Sequence, residues 1–181
     1  MARIIYKDGC EGQNRLECIE GIEIDLLNRR KALIYPKYAE RALLNGERIS
    51  KWGAPKETEI EALMLEDTPY ETGQLFALDS PAAMWVAQFR SDKHGVFNLP
   101  SLLAAMELQR QKSEIDALAE TIEGADLLRD YTSNVWSCSR ACAYYGWFAS
   151  GDCGYASDNR LWYLYLAVPL VLLEATAQSV A

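Results

Sequence analysis

The chain has 181 residues, enough for one domain, residues 1–181, that buries roughly two thirds of its unfolded surface without covalent help. A formal charge of −8 and a pI near 4.8 argue against a nucleic-acid partner, because phosphate binding needs a basic footprint. Membrane insertion is not expected: the most apolar run, LAVPLVLL at 166–173, is short and interrupted by Pro169, and the opening MARIIYKDG lacks the apolar core of a secretory signal.

In chain order, Arg3–Lys7 reads as a short strand closed by the turn Asp8-Gly9. From Leu16 to Leu27, isoleucines alternate with acids, so that Ile22, Ile24 and Leu26 oppose Glu23 and Asp25. This period of two predicts a half-buried strand with one wet acidic face and a bulge at Gly21. Ala32–Tyr35 is a third strand, ended by Pro36, and Tyr38–Leu44 is a candidate helix stopped at Asn45-Gly46. Gly53, Pro55 and the charged run 56–61 read as an exposed excursion.

Helix signals begin at Asp79-Ser80-Pro81, a capping side chain followed by proline at the first helical position, and that element should end at His94-Gly95. A second helix opens at Asn98-Leu99-Pro100-Ser101. A third follows Ser113-x-x-Asp116, read as a capping box, and stops at Gly124. Leu102, Leu103, Met106, Ile115, Leu118, Ala119 and Ile122 form the expected core stripe, with the helix acids on a solvated face. Strands and helices segregate instead of alternating. That predicts an α+β fold with a mostly antiparallel sheet and two or three helices.

The last stretch, 134–173, differs in kind. It holds Trp136, Trp147 and Trp162 with five tyrosines, and between Tyr131 and Leu173 there is no Lys, Glu, Gln or Met. Tyrosine and tryptophan supply rigid contact area, and Ser, Gly, Asn and Asp supply adaptable hydrogen bonds, as in binding surfaces. Trp136, Trp147 and the terminal apolar run fit buried packing, whereas the Gly-, Ser- and Asp-rich middle fits a ligand-binding face. Ordinary packing is the alternative at each of these positions, most of all at Phe148 and Tyr165.

Five cysteines leave at least one thiol unpaired. Reduced thiols are expected, with a Cys10–Cys18 bridge as the alternative. One histidine, His94, and no CxxC give zinc no ligand set. Calcium would need clustered oxygen ligands, and the aromatic stretch offers only Asp152 and Asp158, so no metal or other cofactor is expected.

The C-terminal half resembles bacterial and phage modules of the C-type lectin-like fold. The pieces that carry the resemblance are Leu99-Pro100-Ser101, Ile115-Asp116-Ala117-Leu118, Gly124, Val135-Trp136-Ser137-Cys138-Ser139, Gly146-Trp147 and Ala167-Val168-Pro169. Related modules carry Arg where this chain has Val168. Within that fold the chain resembles the variable proteins of diversity-generating retroelements, in which adenine-specific mutagenesis rewrites AAY codons. Such replacement reaches Asn, Ser, Tyr, Asp, Gly, Ala, Cys, Phe, Leu and Arg, but not Lys, Glu, Gln, Met or Trp. From Ser139 to Tyr165 only Trp147 and Trp162 fall outside the reachable set. The resemblance implies a variable region at 139–165 with Cys142, Tyr144, Tyr145, Phe148, Asp152, Tyr155, Ser157, Asp158, Arg160, Tyr163 and Tyr165 as the exposed, exchangeable residues. Arg160 is the best polar anchor among them. It further implies a receptor-recognition protein on a phage virion or bacterial cell surface, with a protein or cell-surface receptor as partner and possible homo-oligomerisation.

Two other readings compete. A cell-surface adhesin with fixed specificity would share the surface but not its variation. A cysteine enzyme would need Cys138, Cys142 or Cys153 as nucleophile and His94 as base, and no local pattern links them.

Overall fold

Alternation of isoleucine with acids from Ile19 to Asp25 builds the strand around which the N-terminal half is assembled. The structure, a computed structural model, describes residues 2–26, 30–39, 42–44, 47–49, 81–130, 134–140, 145–151, 156–160 and 166–173. At 42–44, 47–49, 81, 139–140, 145–147 and 158–160 it describes the backbone alone. The strands are β1 (Arg3–Tyr6), β2 (Ile19–Asp25), β3 (Lys31–Ile34), β4 (Ala42–Leu44), β5 (Glu47–Ile49), β6 (Arg90–Ser91), β7 (Gly95–Val96), β8 (Val135–Arg140), β9 (Tyr145–Ala149), β10 (Ala156–Arg160) and β11 (Leu170–Leu173). The helices are α1 (Pro81–Val86), α2 (Leu102–Arg110) and α3 (Lys112–Ala119), with 3-10 turns at Leu16–Cys18 and Leu128–Asp130. The expected α+β class with antiparallel strands holds.

A four-stranded antiparallel sheet runs β1-β2-β3-β11, so the C-terminal strand returns to pair with the N-terminal ones. Register brings Ile4, Ile22, Ile34 and Leu170 into one row and Ile24 beside Ala32. That face packs on Ala104, Ala105 and Leu108 of α2 and on Ile115 and Ala119 of α3. The bulge falls where the glycine predicts it: Ile5 pairs with Gly21 but Tyr6 with Ile19, leaving Glu20 as the extra residue. Gly21 has φ +154°, and a Cβ there would sit 2.4 Å from the Ile34 carbonyl oxygen, so only glycine fits between β2 and β3.

The wet face predicted for β2 is not wet. Glu20 and Glu23 are both buried. Arg3, opposite in register, donates to both oxygens of Glu23 at 3.0 and 3.2 Å, and Lys31 of β3 donates to it as well. The Asp92 N–H donates to Glu20 Oε2 at 2.9 Å. Basic side chains and a β-hairpin from distant sequence cover these acids, which a local pattern cannot reveal.

Two further expectations change in the first half. Ala42–Leu44 is not helical but pairs with Glu47–Ile49, Leu44 opposite Glu47; Asn45 and Gly46 lie outside the described residues. Asn-Gly is a preferred two-residue hairpin connection as well as a helix stop. The helix opening at Pro81 ends at Val86, well before His94, because 90–96 turns back as the β6–β7 hairpin. Asp79, Ser80 and the 53–61 excursion lie outside the described residues.

Ser101 caps α2, its Oγ accepting from the Ala104 N–H at 3.3 Å. The capping box at Ser113 does not form: α3 starts at Lys112, with Gln111 alone separating it from α2. Asp116 is instead buried, and its carboxylate accepts the Leu128 and Arg129 N–H groups at 2.7 and 3.2 Å. Glu107 is buried too, satisfied by Arg110 and by Gln111, which also reaches the Asp25 carbonyl at 2.7 Å. The core stripe holds for Ile115, Ala119 and Ile122, but Leu103 is 57% exposed and Ala104, Ala105 and Leu108 take its place.

Candidate ligand-binding face

The region of interest hangs on a second antiparallel sheet, β10-β9-β8. Its inner end is fixed by both cores at once. Val135 and Ala149, paired in register, belong to the core beneath the four-stranded sheet. Their neighbours Trp136 and Phe148, also paired, belong to a second core with Trp85, Val86, Leu99 and Ala167. The indole and the phenyl ring meet edge to face, centroids 6.0 Å apart, a geometry favoured by the aromatic quadrupoles. Trp136 fits the buried role expected of it. Backbone bonds tie β8 to the rest: the Trp136 N–H donates to the Leu166 carbonyl at 3.1 Å and the Cys138 N–H to the Pro100 carbonyl at 2.7 Å.

Beyond that anchor the sheet changes character. Between Trp136 and Arg140 the β8–β9 register shifts, whereas β9 and β10 pair without interruption from Ala149↔Ala156 to Tyr145↔Arg160. An unbroken antiparallel ladder satisfies backbone donors and acceptors whatever side chains it carries. β10 has one described strand neighbour, so it forms the outer edge of this sheet among the described residues.

The residues assigned to the exchangeable set divide accordingly. Phe148 leaves it: the side chain is 7% exposed and packs on Trp136, because its position in register puts it against the second core and not in solvent. Ser157, opposite Phe148, is half-buried. The backbone brings Tyr145 opposite Arg160 and Asp158 opposite Trp147. Cys142, Tyr144, Asp152, Tyr155, Tyr163 and Tyr165 lie outside the described residues, as does Trp162.

A concavity of about 720 Å³ lies on the outer side of the four-stranded sheet and was not singled out from the sequence. Arg3, Glu23, Lys31, Lys93, His94 and Leu172 line it. Its cations already have partners: Arg3 and Lys31 share Glu23, and Lys93 pairs with Asp8. Burial opposes ionisation of Glu23, but hydrogen bonds from Arg3 and Lys31 and their charges outweigh it and hold the carboxyl below its ordinary value. An incoming anion would have to displace that carboxylate, so the cleft is a poor anion site. The signal that could have found it is the facing of Arg3, Glu23 and Lys31 across three strands, which needs the register.

His94 is exposed, its N–H held by Ser91 Oγ at 3.0 Å, and no cysteine is among the described residues lining its cleft. Cys10 and Cys18 are free thiols, while Cys142 and Cys153 lie outside the described residues. Among the described residues no three His, Cys, Asp or Glu side chains converge as a metal would require, and no helix is long and apolar enough to cross a membrane. No family model matches this chain, and no curated protein or solved structure is significantly similar to it.

Proposed function

We propose that this chain is a ligand-recognition protein without a catalytic step, in which a C-type lectin-like scaffold displays residues 139–165 as an exchangeable binding surface. The observation that carries the reading is the contrast within one sheet. Trp136, Phe148 and Ala149 are locked in the cores, while the β9–β10 ladder continues outward on backbone pairing through Tyr145 and Arg160. The composition of 139–165, confined to residues reachable from AAY codons apart from two tryptophans, supports exchange at these positions. Return of the C-terminal strand to the N-terminal sheet, with helices and a three-stranded sheet between, supports the lectin-like arrangement. The ligand class is a protein or cell-surface receptor, met from a virion or cell envelope.

A display library tests the reading. Tyr144, Tyr145, Asp152, Tyr155, Ser157, Asp158, Arg160 and Tyr163 are randomised together among Asn, Ser, Tyr, Asp, Gly, Ala, Cys, Phe, Leu and Arg, and folded clones are counted by protease resistance. Most clones should remain resistant, whereas a matched library at Val135, Trp136, Phe148 and Ala149 should yield few. Equal loss of resistance in the two libraries would refute an exchangeable surface. The gene's neighbourhood separates variable from fixed recognition: a near-identical template repeat and a reverse transcriptase belong to the first, and their absence to a fixed adhesin.

A further inference from the structure

We infer that Cys10 and Cys18 form a dithiol oxidation site, closed to a disulfide by a low-molecular-weight disulfide of the glutathione class. Three backbone hydrogen bonds bring the two cysteines together. The chain leaves β1 through a turn in which the Cys10 N–H donates to the Lys7 carbonyl at 3.1 Å. Lys7 in turn donates to the Cys18 carbonyl at 3.0 Å, so Cys10 is folded back over the residue that pairs with Cys18. The Gln13 N–H donates to the Cys10 carbonyl at 2.9 Å and holds the far side of the loop. Within that loop the Cys18 side chain is near enough to raise the pKa of the Cys10 thiol.

The two thiols differ in access. Cys18 is buried, and its thiol is 3.6 Å from Gln13 Oε1, whereas Cys10 is half-buried. Attack therefore begins at Cys10. Its thiolate attacks one sulfur of the small disulfide, and the displaced thiolate takes up a proton. Cys18 then loses its proton and attacks the Cys10 sulfur, releasing the second small thiol. The protein gives up two electrons and two protons, and one disulfide is reduced to two thiols. The Cys18 side chain, then burial, pushes the Cys10 thiol up; the charges of Cys18 and Glu11 add to this and that of Lys7 opposes it. The thiolate is scarce at neutral pH, so the pair is a slow, pH-accelerated site and not a catalytic nucleophile.

The experiment incubates the full reduced chain with oxidised glutathione, quenches with acid, and maps peptides without reduction. A Cys10–Cys18 linked peptide is expected, forming about tenfold faster for each pH unit between 7 and 8. The linked form should melt roughly 5–10 °C higher, since the bridge closes a short loop in the unfolded chain. In Cys10→Ser the linked peptide and the melting shift should both vanish, with Cys18 still unmodified. A persistent glutathione adduct on Cys10, both thiols remaining open to alkylation, or linkage to Cys138, Cys142 or Cys153 instead would overturn the assignment. Should Cys10→Ser fail to fold, the peptide map of the unmodified chain decides alone.

Discussion

The two main sheets spend their side chains differently. In the four-stranded sheet both faces are committed. Ile4, Ile22 and Ile34 fill the core on one side, and on the other Glu23 is fixed between Arg3 and Lys31. In the three-stranded sheet commitment fades across its width. Val135, Trp136, Phe148 and Ala149 are buried, and one strand further out Ala156 and Ser157 are only half-buried. Where one face is packed and the other is tied up in charge pairs, those contacts dictate residue identity. Where burial is only partial, as at Ala156 and Ser157, packing constrains identity less. The proposed recognition surface lies at the second kind of place.

The comparison breaks most visibly at the anchor of the second sheet. Trp136 is fully buried and meets Phe148 across the strand pair, so Trp136→Ala leaves a large cavity between α1 and β9. The expected loss is about 3–5 kcal/mol, seen as a lowered urea midpoint at unchanged slope. A loss below about 1 kcal/mol would mean that β8 and β9 do not hang on this ring pair, and the division between anchored and open strands would fall.

How much of this was legible in the sequence follows from the range of the signals. Local chemistry was readable: the Gly21 bulge, proline opening α1 and Ser101 capping α2 each depend on a few neighbouring residues. Residues 42–44 were misread because YAERALL has good helix formers and Asn-Gly serves a helix end and a hairpin alike. The acids were misread for a different reason. Glu20, Glu23, Glu107 and Asp116 look solvated along the chain, yet Glu20 is met by Asp92 and Asp116 by Leu128 and Arg129, contacts that appear only once the chain has folded. For the candidate face, composition identified the stretch, but it could not separate Phe148 from its neighbours. A codon-reachable residue and a core residue look alike until register sets Phe148 against Trp136.

Acid should weaken the committed sheet selectively. The folded-state pKa of Glu23 is held down, so its contribution is fully present above the ordinary value of 4.5 and is lost as pH falls through the lower folded value. At pH 7, Glu23→Gln should cost about 1–2 kcal/mol, the cations' partial exposure reducing what a buried pair would give. The gap between the two proteins should narrow steadily below pH 4.5 and close once the wild-type carboxyl is protonated. Urea midpoints from pH 7 to pH 3 measure this. A gap that stays constant with pH would show that Glu23 acts through shape and not charge.

The smallest effect is the most informative, because it compares partners in one register pair. Ser157 and Phe148 face each other across β9 and β10, yet one is half-buried and the other is packed on Trp136. Ser157→Tyr adds a ring at a half-buried position of the outer strand and should change stability by no more than about 0.5 kcal/mol if that strand is open to exchange. Phe148→Ala, one strand inward, should cost about 3–5 kcal/mol by emptying the second core. Thermal and urea unfolding of the two variants side by side give the ratio directly. If Ser157→Tyr were as damaging as Phe148→Ala, the outer strand would belong to the core as firmly as the inner one. The sheet would then have no side on which tyrosine, serine and arginine could trade places.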